Sequence, residues 1–107
     1  MTYQCIDIND ALPLIENNAQ VVDIRDLMSF ENGHIINAIN LNNDNISEYI
    51  ETANKELPLI VCCYHGNSSK SAAEFLAAQG FSEVYSLNGG FSQWSAMYPD
   101  QCNQGAL

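Results

Sequence analysis

The sequence has few basic residues. It contains 3 lysines and arginines against 13 aspartates and glutamates, and its formal net charge is -10 at pH 7. Proteins that bind nucleic acid or an anionic membrane surface need a basic patch that contacts phosphate groups. The composition therefore argues against nucleic acid and membrane as partners, and we interpret the acidic excess as a determinant of solubility.

Membrane spans, secretion signals and metal-binding spacings are also missing. No run reaches the roughly 18 apolar residues of a transmembrane helix, and the N-terminal residues lack the basic and apolar regions of a signal peptide. We therefore expect a cytoplasmic protein, in a compartment that keeps thiols reduced. The 4 cysteines and 2 histidines form no Cys-x-x-Cys pair or zinc-ligand spacing, so the sequence predicts no metal, cofactor or disulfide framework.

What the chain does have is an alternation of short β-type runs and helical patterns in 107 residues, the size of one domain. This order is typical of an α/β domain with a mainly parallel central sheet and helices on both faces. We predict one domain over residues 1–100 and a flexible, unpatterned tail over 101–107. The predicted strands are 4–8, 21–24, 38–41, 59–62 and 84–87, and the predicted helices are 9–17 (capped by Asn9 or Asp10), 29–33 (capped by Ser29), 45–53, 69–79 and 91–97.

The stretch C-Y-H-G-N-S-S-K, which starts at Cys63, carries the clearest chemistry. It lies between the most apolar strand and the clearest helix, and Lys70 is the only formal charge between Leu57 and Ala73. The first N–H groups of a helix favour negative charge on whatever lies in front of them. An uncharged loop of this kind in an acidic protein is suited to a thiolate at Cys63 and to an anionic substrate.

The residues that follow the cysteine favour a cradle of hydrogen-bond donors. Gly66 permits a positive φ angle and Asn67 tolerates one, so successive N–H groups can turn inward, while Ser68 and Ser69 add hydroxyl groups and can cap the helix. A thiolate whose pKa is lowered by such donors gains little as a nucleophile but is a good leaving group. The loop is therefore better suited to holding and releasing a group than to attack alone.

The order of motifs along the chain resembles that of the single-domain rhodaneses, and most closely the GlpE-type thiosulfate sulfurtransferases. The resemblance extends over about residues 4–98. No single motif is specific, but their order and spacing together are. The motifs are V-V-D-I-R-D at 21–26, S-F-E-N-G-H-I at 29–35, C-Y-H-G-N-S-S at 63–69, S-A-A-E-F-L-A-A-Q-G-F at 71–81 and V-Y-S-L-N-G-G-F-S-Q-W at 84–94.

The resemblance implies a single rhodanese-like domain that transfers sulfane sulfur from thiosulfate to cyanide or a thiol, with thioredoxin as one candidate acceptor. Cys63 occupies the position of the nucleophile that carries the sulfur as a persulfide. Lys70 would assist the approach of thiosulfate. The residues that would bind the persulfide through their N–H groups are Tyr64, His65, Gly66, Asn67, Ser68 and Ser69.

Two other functions remain open. One is a cysteine phosphatase or arsenate reductase of the same fold type, which would need an arginine six residues after the cysteine to clamp an oxyanion. That position is Ser69, and the resemblance also implies a loop one residue shorter, so phosphoryl chemistry is disfavoured. The other is a binding module or a sulfur carrier for a partner protein, which shares the persulfide step but not turnover.

The remaining residues of interest have ordinary structural interpretations. Cys5, Cys62 and Cys102 are interpreted as small buried apolar side chains, although Cys62 could also be a second thiol that quenches a persulfide. The other interpretations are a loop-shaping or backbone-bonding role rather than a general base for His65, a structural hydrogen bond for His34, an ion pair or a turn support for Asp23 and Arg25, a tight turn rather than a phosphate loop at Gly89 and Gly90, and core packing for Phe91, Trp94 and Met97.

Overall fold

The structure, a computed structural model, describes residues 2–105. The predictions for positions 106 and 107 lie outside these described residues. The strands are β1 (Gln4–Ile6), β2 (Gln20–Asp23), β3 (His34–Ile35), β4 (Ile39–Asn40), β5 (Leu59–Cys62), β6 (Val84–Leu87) and β7 (Cys102–Asn103). The helices are α1 (Ile8–Glu16), α2 (Leu27–Asn32), α3 (Ile46–Thr52), α4 (Ser68–Ala77) and α5 (Gly90–Met97), followed by a 3-10 turn (Pro99–Gln101).

Five of the strands form one parallel sheet in the order β1-β6-β5-β2-β4. β5 is the central strand and all four of its residues are buried, as its unbroken apolar sequence predicts. Because the strands are parallel, the ends of β2, β5 and β6 lie at the same edge of the sheet. The loops that follow these strands therefore meet there, which is where ligands bind in open α/β folds.

Helices cover both faces of the sheet, which confirms the predicted fold class. α1, α2 and α5 pack on one face, and α3 and α4 pack on the other. Alternation along β5 divides its side chains between the two cores: Ile60 and Cys62 join the first, and Leu59 and Val61 join the second. Ala73, Leu76 and Ala77 have helical spacing and form the apolar buried stripe of α4, with Ala72 partly buried beside them.

All five helices start one or two residues from the predicted position, and the caps of α1, α2 and α4 differ from the predicted ones. The N-cap of α4 is Asn67 rather than Ser68 or Ser69. α1 begins at Ile8 after Asp7, so neither Asn9 nor Asp10 is its cap, and Pro13 lies in its second turn. α2 is capped by Asp26, whose side chain accepts a hydrogen bond from the Ser29 N–H at 3.0 Å, rather than by Ser29 itself. Asp is as good a cap as Ser, so residue type alone does not decide between neighbouring positions.

The strand pair β3 and β7 was not predicted. His34 pairs with Asn103 and Ile35 with Cys102 in an antiparallel arrangement, and the Ile36 N–H donates to the Gln101 carbonyl at 2.9 Å. The expectation of an unpatterned tail from residue 101 is therefore wrong for Cys102 and Asn103. A strand of two residues is too short to show a periodic pattern in the sequence. β3 and β7 form because the segment that contains β7 returns to the end of α2.

Two burial predictions are also wrong. Cys5 is exposed because it lies on the edge strand β1, whose only buried residue is Ile6. Met97, at the end of α5, is 59% exposed, whereas Trp94 one turn earlier is fully buried as predicted. Cys102 is half-buried. None of the helices within residues 2–105 has both the length and the apolar character that crossing a membrane requires.

Candidate active site

The Cys63 side chain lies directly after β5, in front of the first turn of α4. Its Sγ accepts hydrogen bonds from the Gly66 N–H at 3.1 Å and from the Ser69 N–H at 3.3 Å. The Ser69 hydroxyl lies 3.3 Å from the same sulfur. Cys63 is only 3% exposed, so these donors meet the sulfur in a nearly dry environment, where their effect on a negative charge is large.

These contacts set the protonation of the thiol. Burial by itself raises the pKa of Cys63, but hydrogen bonds from the Ser69 hydroxyl and from the N–H groups of Ser69, Gly66 and His65 outweigh it, so the pKa lies below its ordinary value. The lowering comes from dipoles rather than from a charged partner. The site therefore stabilises an anionic sulfur without an adjacent cation.

The loop that carries Cys63 is held in place by the start of α5. The Phe91 N–H donates to the Cys63 carbonyl at 2.8 Å, and the Ser92 N–H donates to the Tyr64 carbonyl at 3.0 Å. Such a close approach requires glycine at position 90, where φ is +59° and a Cβ would lie 2.5 Å from the Cys63 oxygen. The predicted tight turn beside the site is confirmed, and it positions the loop that carries Cys63.

The Tyr64 side chain fixes the outer edge of the loop. Its hydroxyl bonds to the Asp26 carboxylate and lies 2.6 Å from the Ser29 hydroxyl. Hydrogen bonds from Tyr64 first, and then from Ser29, lower the pKa of Asp26 to about 2. The loop after β5 is thereby tied to the start of α2, so Asp26 both caps a helix and anchors the loop that carries Cys63.

Asp23 and Arg25 form the predicted ion pair, and it is buried. The Asp23 carboxylate accepts from Arg25 Nη2 at 2.7 Å and from Nε at 3.0 and 3.1 Å. Nη2 also donates to the Gly33 carbonyl at 2.6 Å. The guanidinium carbon lies 4.3 Å from the ring centre of Phe91 and 5.6 Å from that of Tyr64. The pair thus supports the Tyr64 side of the loop and does not contact the Cys63 sulfur.

Comparison with known proteins decides the family of this fold and loop. The model of the rhodanese-like domain matches residues 8–97, which is most of the chain. The chain belongs to the rhodanese family. A curated rhodanese-family relative, "Thiosulfate sulfurtransferase GlpE" of Ectopseudomonas mendocina (strain ymp), is 51% identical over 104 residues, covering 97% of this chain and 95% of its own.

Solved structures of the rhodanese fold agree with this architecture. A rhodanese-like domain from an Anabaena protein superposes with a TM-score of 0.80 at 21% identity, over 95% of this chain and 80% of its own. A yeast protein tyrosine phosphatase of the rhodanese family superposes with a TM-score of 0.73 at 18% identity, over 98% and 94%. At this identity both matches show the fold alone, and the loop residues must distinguish the chemistry.

The structure places the other predicted residues of the rhodanese loop around the sulfur but not all in contact with it. The side chains of His65 and Lys70 are exposed, and the described residues give neither of them a side-chain hydrogen bond. Asn67 and Ser68 are exposed as well. Of the six residues expected to form the cradle, Gly66 and Ser69 donate N–H hydrogen bonds to the sulfur. The part of all six residues in binding a persulfide remains a prediction.

Cys62 lies in the apolar core on the α1 and α5 side of the sheet. It is fully buried, and burial raises its pKa well above the ordinary value for a thiol. A protonated thiol in an apolar core is a poor nucleophile. These observations favour the interpretation of Cys62 as a small buried side chain over that of a second reactive thiol.

Ser86 was not predicted as a residue of the site. This serine lies on β6 opposite Val61 of β5, is fully buried, and has its hydroxyl 2.7 Å from that of Ser69. The signal was present as one serine within the mainly apolar run V-Y-S-L. A buried hydroxyl needs a partner, but only the strand order shows that this partner is the active-site loop.

His34 has the structural role that the sequence predicts. Its Nδ1 bonds the Phe30 carbonyl at 2.7 Å, and its ring stacks on that of Phe30 with 3.8 Å between centres. Across residues 2–105, no three His, Cys, Asp or Glu side chains come together as a metal site. All four cysteines are free thiols.

Proposed function

We propose that the protein is a thiosulfate:cyanide sulfurtransferase that carries sulfane sulfur as a persulfide on Cys63. The observation that carries this proposal is a buried cysteine sulfur that accepts hydrogen bonds from two N–H groups of the loop and helix start and lies within hydrogen-bond distance of the Ser69 hydroxyl. The relative that is 51% identical has thiosulfate sulfurtransferase in its name, which supports the same reaction here. The oxyanion-hole type of stabilisation suits a reaction whose intermediates are sulfur anions.

The reaction proceeds in two balanced steps. The Cys63 thiolate attacks the outer sulfur of thiosulfate, a new S–S bond forms, the S–S bond of thiosulfate breaks, and sulfite leaves with the bonding electron pair. Cyanide then attacks the outer sulfur of the persulfide, thiocyanate forms, and the Cys63 thiolate is released. Each step regenerates an anion on sulfur, so the N–H groups of Gly66 and Ser69 stabilise both the attacking and the leaving form.

The remaining loop residues complete the proposed site. The N–H groups of the segment from Tyr64 to Ser69 surround the outer persulfide sulfur, with Gly66 turning the backbone. In the cell, a thiol acceptor in the cytoplasm replaces cyanide, and thioredoxin is a candidate of suitable chemistry. Ser69 replaces the arginine that phosphoryl transfer needs, so the same fold serves sulfur transfer here.

Steady-state kinetics test this function directly. With thiosulfate and cyanide we expect thiocyanate release with parallel double-reciprocal plots, the kinetic pattern of a covalent intermediate. Aryl phosphate and arsenate serve as controls and should give no turnover. A persulfide that forms without thiocyanate release would favour the carrier function, and turnover of aryl phosphate would contradict the proposal.

Lys70 is expected to raise the affinity for the thiosulfate dianion. Arg25 is paired with Asp23 and Lys55 bonds the Ile50 carbonyl, which leaves Lys70 as the exposed cation at the site. Lys70→Met should raise KM for thiosulfate by about two- to fivefold and leave kcat nearly unchanged, because the charge attracts substrate and transition state alike. The effect should diminish in high salt, which screens exposed charges.

The matched control for Lys70→Met is Lys55→Met. This variant changes the net charge by the same amount. Lys55 Nζ lies 5.2 Å from the centre of the Phe81 ring, and Phe81 belongs to the second core. Its KM for thiosulfate should equal that of the wild type. Equal KM changes in the two variants would show that only net charge matters, and a large fall in kcat in Lys70→Met would show a role in the chemical step.

A further inference from the structure

The Cys63 sulfur is the end of a buried chain of hydroxyl groups that crosses from β5 to β6. Ser69 Oγ lies 3.3 Å from Cys63 Sγ and 2.7 Å from Ser86 Oγ. The side chains of Ser69 and Ser86 are both fully buried. Within residues 2–105, the only hydrogen-bond partner of the Ser86 hydroxyl is Ser69. The chain therefore ends at Ser86, without a charged group.

We propose that Ser86 is a positioning residue that, through the Ser69 hydroxyl, holds the Cys63 sulfur in its anionic form. The sulfur itself touches Ser69 and not Ser86, so Ser86 acts by orienting its neighbour. When Ser86 donates its proton to Ser69 Oγ, the Ser69 proton is left to point at the sulfur. Hydrogen bonds linked in this way polarise and strengthen one another.

A count of protons gives the direction of the effect. In the thiolate form the network has two protons, one on each serine, and two contacts, so each donor has an acceptor. In the thiol form three protons share the same two contacts, and one buried donor has no acceptor in the network. A buried unpaired donor costs free energy. The two hydroxyl groups thus favour the form of Cys63 that has lost its proton.

The same arrangement assists both halves of the proposed reaction. It favours the thiolate before sulfur is taken from the donor, and it stabilises the thiolate again as the leaving group when the acceptor removes the sulfur. The direction agrees with the net lowering of the Cys63 pKa, in which burial raises the value and the Ser69 hydroxyl is the largest opposing cause.

Titration of the Cys63 thiol tests the role of Ser86. The ultraviolet absorbance of the thiolate is followed against pH, and the curve of the matching Cys63→Ser protein is subtracted, so that the difference belongs to Cys63. In Ser86→Ala the midpoint should move to higher pH by about half to one unit, because one donor of the network is lost. Well below the wild-type midpoint, the thiolate fraction should fall by about three- to tenfold.

The control is Ser82→Ala, which removes an exposed hydroxyl at the opposite end of the sheet, where it bonds the Glu56 carbonyl. Its midpoint should match that of the wild type. The surrounding charged and titratable groups are common to these proteins and do not account for a difference. They are the Asp23–Arg25 pair at the end of β2, Cys62 on β5, Tyr64 and His65 on the loop, Lys70 on α4, and Tyr85 on the other face of β6.

A lower unfolding midpoint of Ser86→Ala with an unchanged titration would mean that Ser86 only fills space, and this would overturn the proposal. If Ser86→Ala does not fold, Ser86→Cys decides, because it keeps similar volume with a weaker donor. Its midpoint should lie above that of the wild type, and a wild-type midpoint would overturn the proposal. The inference rests on the proposed function, in which Cys63 is the reacting thiol. The titration needs no sulfur donor, so the role of Ser86 can be refuted while sulfur transfer is observed. Equally, sulfur transfer can be absent while the titration shows the expected shift.

Discussion

Cys63→Ser is expected to abolish persulfide formation and to reduce sulfur transfer to the background rate. The wild type treated with thiosulfate should gain about 32 Da, one sulfur atom, and should lose it when cyanide is added, as a covalent route requires. A serine hydroxyl is not ionised by hydrogen bonds of this kind, so the variant should gain no mass. Mass spectrometry of the intact protein, with and without cyanide, measures both states.

The other cysteines provide the controls for this experiment. Cys62→Ala should still gain the sulfur atom and keep most of the activity, because its side chain lies in the core, where its Sγ is 3.5 Å from the Cys63 carbonyl oxygen and, within residues 2–105, does not bond the Cys63 sulfur. It should lose roughly 1 kcal/mol of stability, because only a small buried side chain is truncated. Thiosulfate turnover by Cys63→Ser, or loss of the adduct in a folded Cys62→Ala protein, would contradict the assignment of Cys63 as the carrier.

Asp23→Asn is expected to lower the free energy of unfolding by about 3–5 kcal/mol, because it leaves the Arg25 guanidinium buried without its charged partner. Asp23 is fully buried and Arg25 is 7% exposed, so water cannot replace the lost contact. This is a large part of the roughly 5–15 kcal/mol that stabilises a domain. Urea unfolding measures the loss, and sulfur transfer should fall too, because Arg25 supports the Phe91 and Tyr64 rings beside the loop.

Two further variants identify the cause of that loss. Asp100→Asn makes the same change in charge at an exposed position and should alter stability by less than about 0.5 kcal/mol. The double variant Asp23→Leu with Arg25→Met removes both charges and should be more stable than Asp23→Asn alone, because no unpaired charge remains. If Asp23→Asn unfolds at the same urea concentration as the wild type, the ion pair does not stabilise the fold.

Several elements could be predicted from the sequence because their signals are local. The central strand β5 and the strand β6 begin and end at the predicted residues, since β5 is an unbroken apolar run after Pro58 and β6 is a mainly apolar run between Glu83 and Asn88. The stripe of α4 has helical spacing, and the Gly66 loop that precedes it has the composition of a donor cradle. Cys63 could be singled out because it lies where that strand and that helix meet.

The tertiary structure alone decided which distant residues complete the site. Ser86 is 17 positions from Ser69 along the chain, and the two meet because β6 lies beside β5 in the sheet. The anchoring of Tyr64 by Asp26, 38 positions earlier, depends in the same way on β2 lying on the other side of β5. A periodic pattern reports which face of an element is buried, but it contains no information on which strands are neighbours. The sequence by itself therefore pointed to Cys63 and to the N–H groups that follow it, while the order of the strands determined that Ser86 bonds Ser69 and that Asp26 anchors Tyr64.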